Sequence, residues 1–278
     1  MGIAIMAIFV SGCKKEYYTE SPAKNDATIL LLKSYTDSVK KVYKTDVQLK
    51  KHRWLRILGK DLLGALSGAY TGSQIGSSVP GLGTGVGAAI GAVVGGAGAS
   101  LVEAGKEDKP AAGNQGGAIV VHNAQNPYEY VANLHYEIIK DIAEDSLIVY
   151  KNGKFIFNSY YNYVISKMRN IFDNDNLKYF REDIFKNVSN FVDNYNHDLL
   201  FFVNDNETPY YNKITPEERI ILNLYYELFE IAPNYETFAM ISIGFENIIN
   251  NSIYLDEKTK AVLLTNMATA RVGIAYWY

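Results

Sequence analysis

From Leu62 to Val102 the chain carries no charged residue, and within that stretch glycine returns at every fourth position. Gly64, Gly68, Gly72 and Gly76 form one set, and Gly83, Gly87, Gly91 and Gly95 form the second, after a break at Ser78-Val79-Pro80-Gly81. In a helix a four-residue step keeps each set on one slowly drifting face. A glycine inside a helix costs about 1 kcal/mol relative to alanine, so two such sets imply a compensating close approach of backbones. Proline followed by glycine is turn chemistry. The expectation is a helical hairpin over residues 60–104, with arms near 60–77 and 83–104 joined by a tight turn.

These residues favour a hairpin in or on a membrane over one packed against protein. In lipid, small residues four apart let two helices touch along a bare stripe while each helix satisfies its own backbone. The second arm, Leu82 to Val102, is uncharged over the roughly 20 residues that a membrane span needs. The first arm carries Ser67, Thr71, Ser73 and Gln74 and is less apolar. The alternatives are association with a membrane, self-association through the glycines, and packing against protein. A flexible linker is the bland alternative, but it has no reason to keep the four-residue step twice.

The segment GAAIGAVVGGAGAS at 87–100 resembles the glycine-zipper segments of small bacterial envelope lipoproteins such as the rickettsial 17 kDa surface antigen type. That resemblance implies an envelope location and helix association, and no activity.

Cys13, the single cysteine, follows the apolar run Ile3 to Val10 and the pair Ser11-Gly12. A lone cysteine excludes an internal disulfide, so its position carries the explanation. Val10-Ser11-Gly12-Cys13 resembles a bacterial lipobox, which implies cleavage before Cys13 and acylation of the new N-terminus. Several acyl chains anchor a protein stably because each buried methylene contributes about 0.8 kcal/mol. The apolar run is short and no Lys or Arg precedes it, unlike the usual signal peptide. Lys14-Lys15-Glu16 resembles the charged export signals of surface lipoproteins in the Bacteroidetes group.

The net charge of −3 hides an asymmetry: residues 1–60 hold 12 Lys/Arg against 5 Asp/Glu, so the rest is strongly acidic. Lys50, Lys51, Arg53, Arg56 and Lys60 cluster just before the first glycine arm and suit anionic lipid headgroups. Nucleic acid is the rival partner, but the acidic remainder and the lack of a reader motif argue against it.

Ile29, Leu32, Tyr35, Val39, Val42 and Leu49 recur at helical spacing, which predicts an amphipathic basic helix. After residue 126 the pattern is helical almost throughout. Asn126-Pro127 reads as a cap and first helical turn, and Thr215-Pro216-Glu217-Glu218 as a capping box for a helix ending before Pro233. Further helices are expected at 155–172, 177–203, 235–250 and 256–275. The organisation expected is all-α: a signal peptide at 1–12, a tether at 13–25, the amphipathic helix at 26–59, the glycine-zipper hairpin at 60–104, a linker at 105–126 and a helical bundle at 127–278.

Chemistry-bearing motifs are sparse. His52, His122, His135 and His197 lie in no HExxH arrangement, and His135 and Glu137 are two apart on different helix faces. Ser38-x-x-Lys41 lacks companion motifs, Gly81 to Gly87 lacks a preceding strand, and Asp173-x-Asp175 lacks the later calcium ligands. The 22 tyrosines sit mostly inside helical periodicity, where packing explains them first. The function expected is a non-enzymatic, lipid-anchored envelope protein without metal or cofactor. Its partners are membrane lipid, a second copy through the hairpin, and an unidentified protein bound by the helical domain. A secreted membrane-permeabilising protein and an enzyme with a site assembled from distant residues stand as alternatives.

Overall fold

The computed structural model describes residues 26–43, 53–105, 118–151, 154–173, 177, 180 and 214–277. The fold is all-α, with eight helices and a two-strand ribbon among the described residues. In order they are α1 (Asp26–Tyr43), α2 (Arg53–Ser78), α3 (Thr84–Gly105), α4 (Glu129–Glu144), β1 (Tyr150–Lys151), β2 (Lys154–Phe155), α5 (Phe157–Met168), α6 (Pro216–Ile231), α7 (Tyr235–Asn250) and α8 (Glu257–Trp277).

The hairpin is the spine of this bundle. α2 and α3 run antiparallel in contact along their length, and α8 lies against both while also touching α4 and α7. α4 covers α3, and α1 closes the far side against α6 and α7. Hairpin and C-terminal helices share one hydrophobic core, in which Leu62, Leu66, Ile90, Val93 and Val94 meet side chains of the later helices. From Ala261 to Ala275 every residue of α8 is buried, as expected of a helix enclosed on all sides.

Pro80 and Gly81 make the bend. Leu82 N–H donates to the Val79 carbonyl at 3.2 Å, and Gly81 has φ of +81°, which with proline before it is a type II turn. Gly83 repeats the positive φ, and its carbonyl accepts from Gly87 N–H at 3.1 Å as α3 begins.

Several boundaries differ from the sequence reading. Of the helix expected over 26–59, α1 covers Asp26–Tyr43 and residues 44–52 lie outside the described residues, while the first hairpin arm reaches back to Arg53. Leu, Arg and Lys dominate Arg53 to Lys60 and are good helix formers, so the glycine pattern understates the arm's length. α4 starts at Glu129 rather than at Pro127, because Asn126 caps a turn by accepting from Tyr128 N–H at 2.9 Å and spends its amide elsewhere. The residues before it, expected as linker, are built into the fold: Ala118 N–H donates to the Ala275 carbonyl at 3.1 Å, and Val121 N–H to the Tyr235 hydroxyl at 3.0 Å. The expected helix over 177–203 falls mainly outside the described residues, although Leu177 and Phe180 are buried. A small antiparallel ribbon pairs Tyr150 with Phe155 and Lys151 with Lys154. The capping box is formed as expected, Thr215 Oγ1 accepting from Glu218 N–H at 3.2 Å and Glu218 Oε2 from Thr215 N–H at 2.8 Å.

Candidate functional site

The glycines that the sequence singles out face one another. A Cβ added at Gly64 would meet Gly95 and Ala99; at Gly68 it would meet Gly91, at Gly72 Gly87, and at Gly76 Gly83. The residue numbers of each pair have the same sum, so one antiparallel register holds from the bend to the open end. Apart from the Ala99 Cβ beside Gly64, the contacts are to backbone: the site of a Cβ on Gly68 lies 2.6 Å from the Gly91 carbonyl carbon, and that on Gly64 lies 2.9 Å from the Gly95 carbonyl carbon. No side chain fits there, and the two backbones gain the dispersion and Cα–H···O contacts that such closeness permits. Each arm's glycine stripe is thus used by the other arm, and self-association through the same stripes requires the hairpin to open first.

The outer face of α3 is bound by tyrosines. Tyr160 donates to the Val94 carbonyl at 2.7 Å and Tyr150 to the Leu101 carbonyl at 2.6 Å. Burial pushes Tyr150 up to about 12, so it stays a donor at neutral pH. On the other side Asn266 of α8 donates to the Leu62 carbonyl at 2.6 Å. Thr84–Val102 is long and apolar enough to cross a membrane, yet 83% of that length is buried inside the protein. In this structure the hairpin packs on protein.

A second feature was not read from the sequence. Arg271 and Glu246, both fully buried, form the centre of a polar knot between α8, α7, α4 and the segment before α4. Arg271 Nε donates to Glu246 Oε1 at 2.8 Å and Nη2 to Glu246 Oε2 at 3.2 Å, while Nη2 reaches Glu129 Oε2 at 2.5 Å. Nη1 bonds the Val121 carbonyl and Glu129 Oε1, so all five N–H donors of the guanidinium are engaged. Burial works against its charge, but Glu246 and Glu129 together hold Arg271 above its ordinary value. Glu246 also accepts from Ser242 at 2.8 Å, Asn123 at 3.0 Å and Asn126 at 2.9 Å. Both of its oxygens thus accept several hydrogen bonds, and the buried charge is fully partnered. The knot is a fastener that closes the helical sheath over the hairpin. The one sequence signal for it is that Arg271 is the only charge between Ala261 and Tyr278; a lone charge in an apolar helix has to find a counter-ion.

Of the remaining expected site residues, Cys13, Lys50 and Lys51 lie outside the described residues. Arg53, Arg56 and Lys60 stand in the first turns of α2 at i, i+3 and i+7, positions on one helix face. Among the described residues no group of three His, Cys, Asp or Glu side chains is placed to hold a metal ion. Comparison with protein-family models, with curated proteins and with solved structures finds no match for this chain.

Proposed function

We propose that the protein is an envelope lipoprotein, held by acyl chains on Cys13, whose helical body displays a binding surface at the membrane. The observation that carries the reading is the sequence Val10-Ser11-Gly12-Cys13 placed thirteen residues before a packed helical body that begins at Asp26. The packing of the hairpin on protein supports a division of labour: the glycine zipper gives the body its spine, and anchoring falls to Cys13. Acyl chains act without any catalytic centre, and the basic residues before the hairpin would add attraction to anionic lipid. Globomycin treatment tests the reading. An accumulating slower-migrating precursor, together with release of a Cys13→Ser variant from the membrane fraction, is expected; a parent chain that carries no acyl groups, with or without globomycin, rejects the anchor.

A second reading, membrane permeabilisation, is favoured by one observation: the most apolar helix among the described residues is stored inside a sheath of more polar helices. A zipped hairpin does not need the sheath to keep its own arms together, since its contacts are backbone to backbone. Purified protein would then release dye from liposomes, and a Gly87→Leu plus Gly91→Leu variant would not. Leakage by that variant equal to the parent removes the zipper from the mechanism.

A further inference from the structure

The first turns of α1 and the loop between α7 and α8 form one apolar surface. Leu31 is 61% exposed, Ile253 is 85% exposed and Tyr254 43%, and Leu30, the neighbour of Leu31 in α1, is 63% exposed. These are not scattered residues. Thr28 Oγ1 and Ser252 Oγ lie 2.6 Å apart and join α1 to the loop, and a depression of about 310 Å³ is walled there by Leu31, Ile248, Ile253 and Tyr254, with Asn247 and Asn251 at its side. The same loop is stiffened by Ser252, whose hydroxyl accepts from Tyr254 N–H and Leu255 N–H, each at 3.2 Å. A held loop that presents isoleucine and tyrosine to water is a contact surface, since contiguous exposed apolar patches on soluble bodies mark partners or membranes.

We infer that this face rests on the bilayer, its apolar side chains entering the headgroup and upper acyl region while the tyrosine sits at the boundary. The inference rests on the anchor proposed above. Its occupant follows from where the patch lies: Cys13 is thirteen residues before Asp26, a length that spans at most about 45 Å even fully extended. An anchored Cys13 therefore keeps the N-terminal end of α1 within that distance of lipid, and that end carries the patch. A lipid anchor combined with a second membrane contact is also the arrangement that gives stable rather than transient attachment. Tyrosine suits the interface because one end of the ring is apolar and the other wet. The contact is made by apolar side chains, so it does not require anionic lipid.

The test supplies the anchor chemically, so that it does not depend on natural acylation. The full chain is coupled through Cys13 to a maleimide-headgroup lipid in phosphatidylcholine vesicles, and backbone hydrogen exchange is compared with uncoupled protein in the same buffer. Amides at 28–31 and 252–256 are expected to exchange severalfold more slowly on the vesicle. A Leu31→Asp plus Ile253→Asp variant is expected to lose that slowing while retaining the exchange pattern of α3 and α8. Unchanged exchange at the patch overturns the inference, as does slowing at the opposite end of α7, around Glu236. Slowing in uncoupled protein that grows with protein concentration would assign the face to a second copy and likewise overturn it. Failure of the acylation test with success here would reject the natural anchor and leave the bilayer face standing.

Discussion

Replacing Gly68 with alanine should destabilise the protein, although alanine is the better helix former. A Cβ at Gly68 sits 2.6 Å from the Gly91 carbonyl carbon and 3.3 Å from the Gly95 Cα, and it overlaps the Gly91 carbonyl oxygen. These atoms are backbone, so no rotamer change relieves them. Bringing the 2.6 Å contact out to 3.4 Å needs a local retreat of at least about 0.8 Å, and the nearer carbonyl oxygen needs more; a gap of that order forfeits about a quarter to a half of each dispersion contact it opens. Overpacking of this kind costs about 1–3 kcal/mol, and rigid backbone on both sides places it near 3. Alanine returns about 1 kcal/mol in helix propensity, leaving a net loss of about 2 kcal/mol. For a domain of this size that is a fall of about 4–8 °C in Tm. Gly59 is the internal control: it lies in the same helix, and a Cβ there meets nothing within 4 Å. Gly59→Ala should stabilise the protein by about 0.5–1 kcal/mol. Urea unfolding followed by circular dichroism measures both, through shifts in midpoint at constant slope. If Gly68→Ala proves as stable as Gly59→Ala, backbone contact between the arms is refuted.

Three further outcomes are expected. Arg271→Leu leaves Glu246 and Glu129 without their counter-ion and should cost about 3–5 kcal/mol by thermal or urea unfolding, whereas a surface Arg such as Arg169, which is exposed, should tolerate the same change. Asp141 is held below its ordinary value: partial burial opposes its charge, but hydrogen bonds from Lys167 and Tyr163, each at 2.5 Å, outweigh that. A depressed carboxyl contributes stability above its unfolded pKa of about 4 and loses it as pH falls through the lower folded value. Asp141→Asn should therefore cost about 0.2–1 kcal/mol at pH 7, as expected for a partly exposed pair, and nothing in strong acid, where the parent carboxyl is also neutral. Tyr160→Phe removes the donor to the Val94 carbonyl while keeping the ring, and should cost about 1 kcal/mol in the same unfolding assay.

The parts of this fold that were legible beforehand are those written in local spacing. The glycine step defines two helices and their facing stripes, Pro80-Gly81 defines the bend, and the Thr215 to Glu218 pattern defines the start of α6, because each acts within four residues. What covers the hairpin was not legible. Arg271 reaches Glu129 across 142 positions and Asn266 reaches Leu62 across 204, and no periodicity encodes such pairings. The glycine-rich arm looks the same in sequence whether lipid or α8 lies against it, since both are apolar neighbours. The start of α4 departs from the local pattern for a related reason: Asn126 has the chemistry of a helix cap, but its amide is drawn to Glu246 and the Leu264 carbonyl, contacts far away in the chain.

Native-state hydrogen exchange over 62–102 tests most directly whether the two bare helix faces are zipped together inside the protein. In aqueous buffer without lipid, amides of α2 from Leu62 to Ser73 and of α3 from Ala88 to Leu101 should be among the slowest in the chain, opening only with global unfolding. Exchange there as fast as in an unstructured peptide, with α8 still protected, would contradict the account.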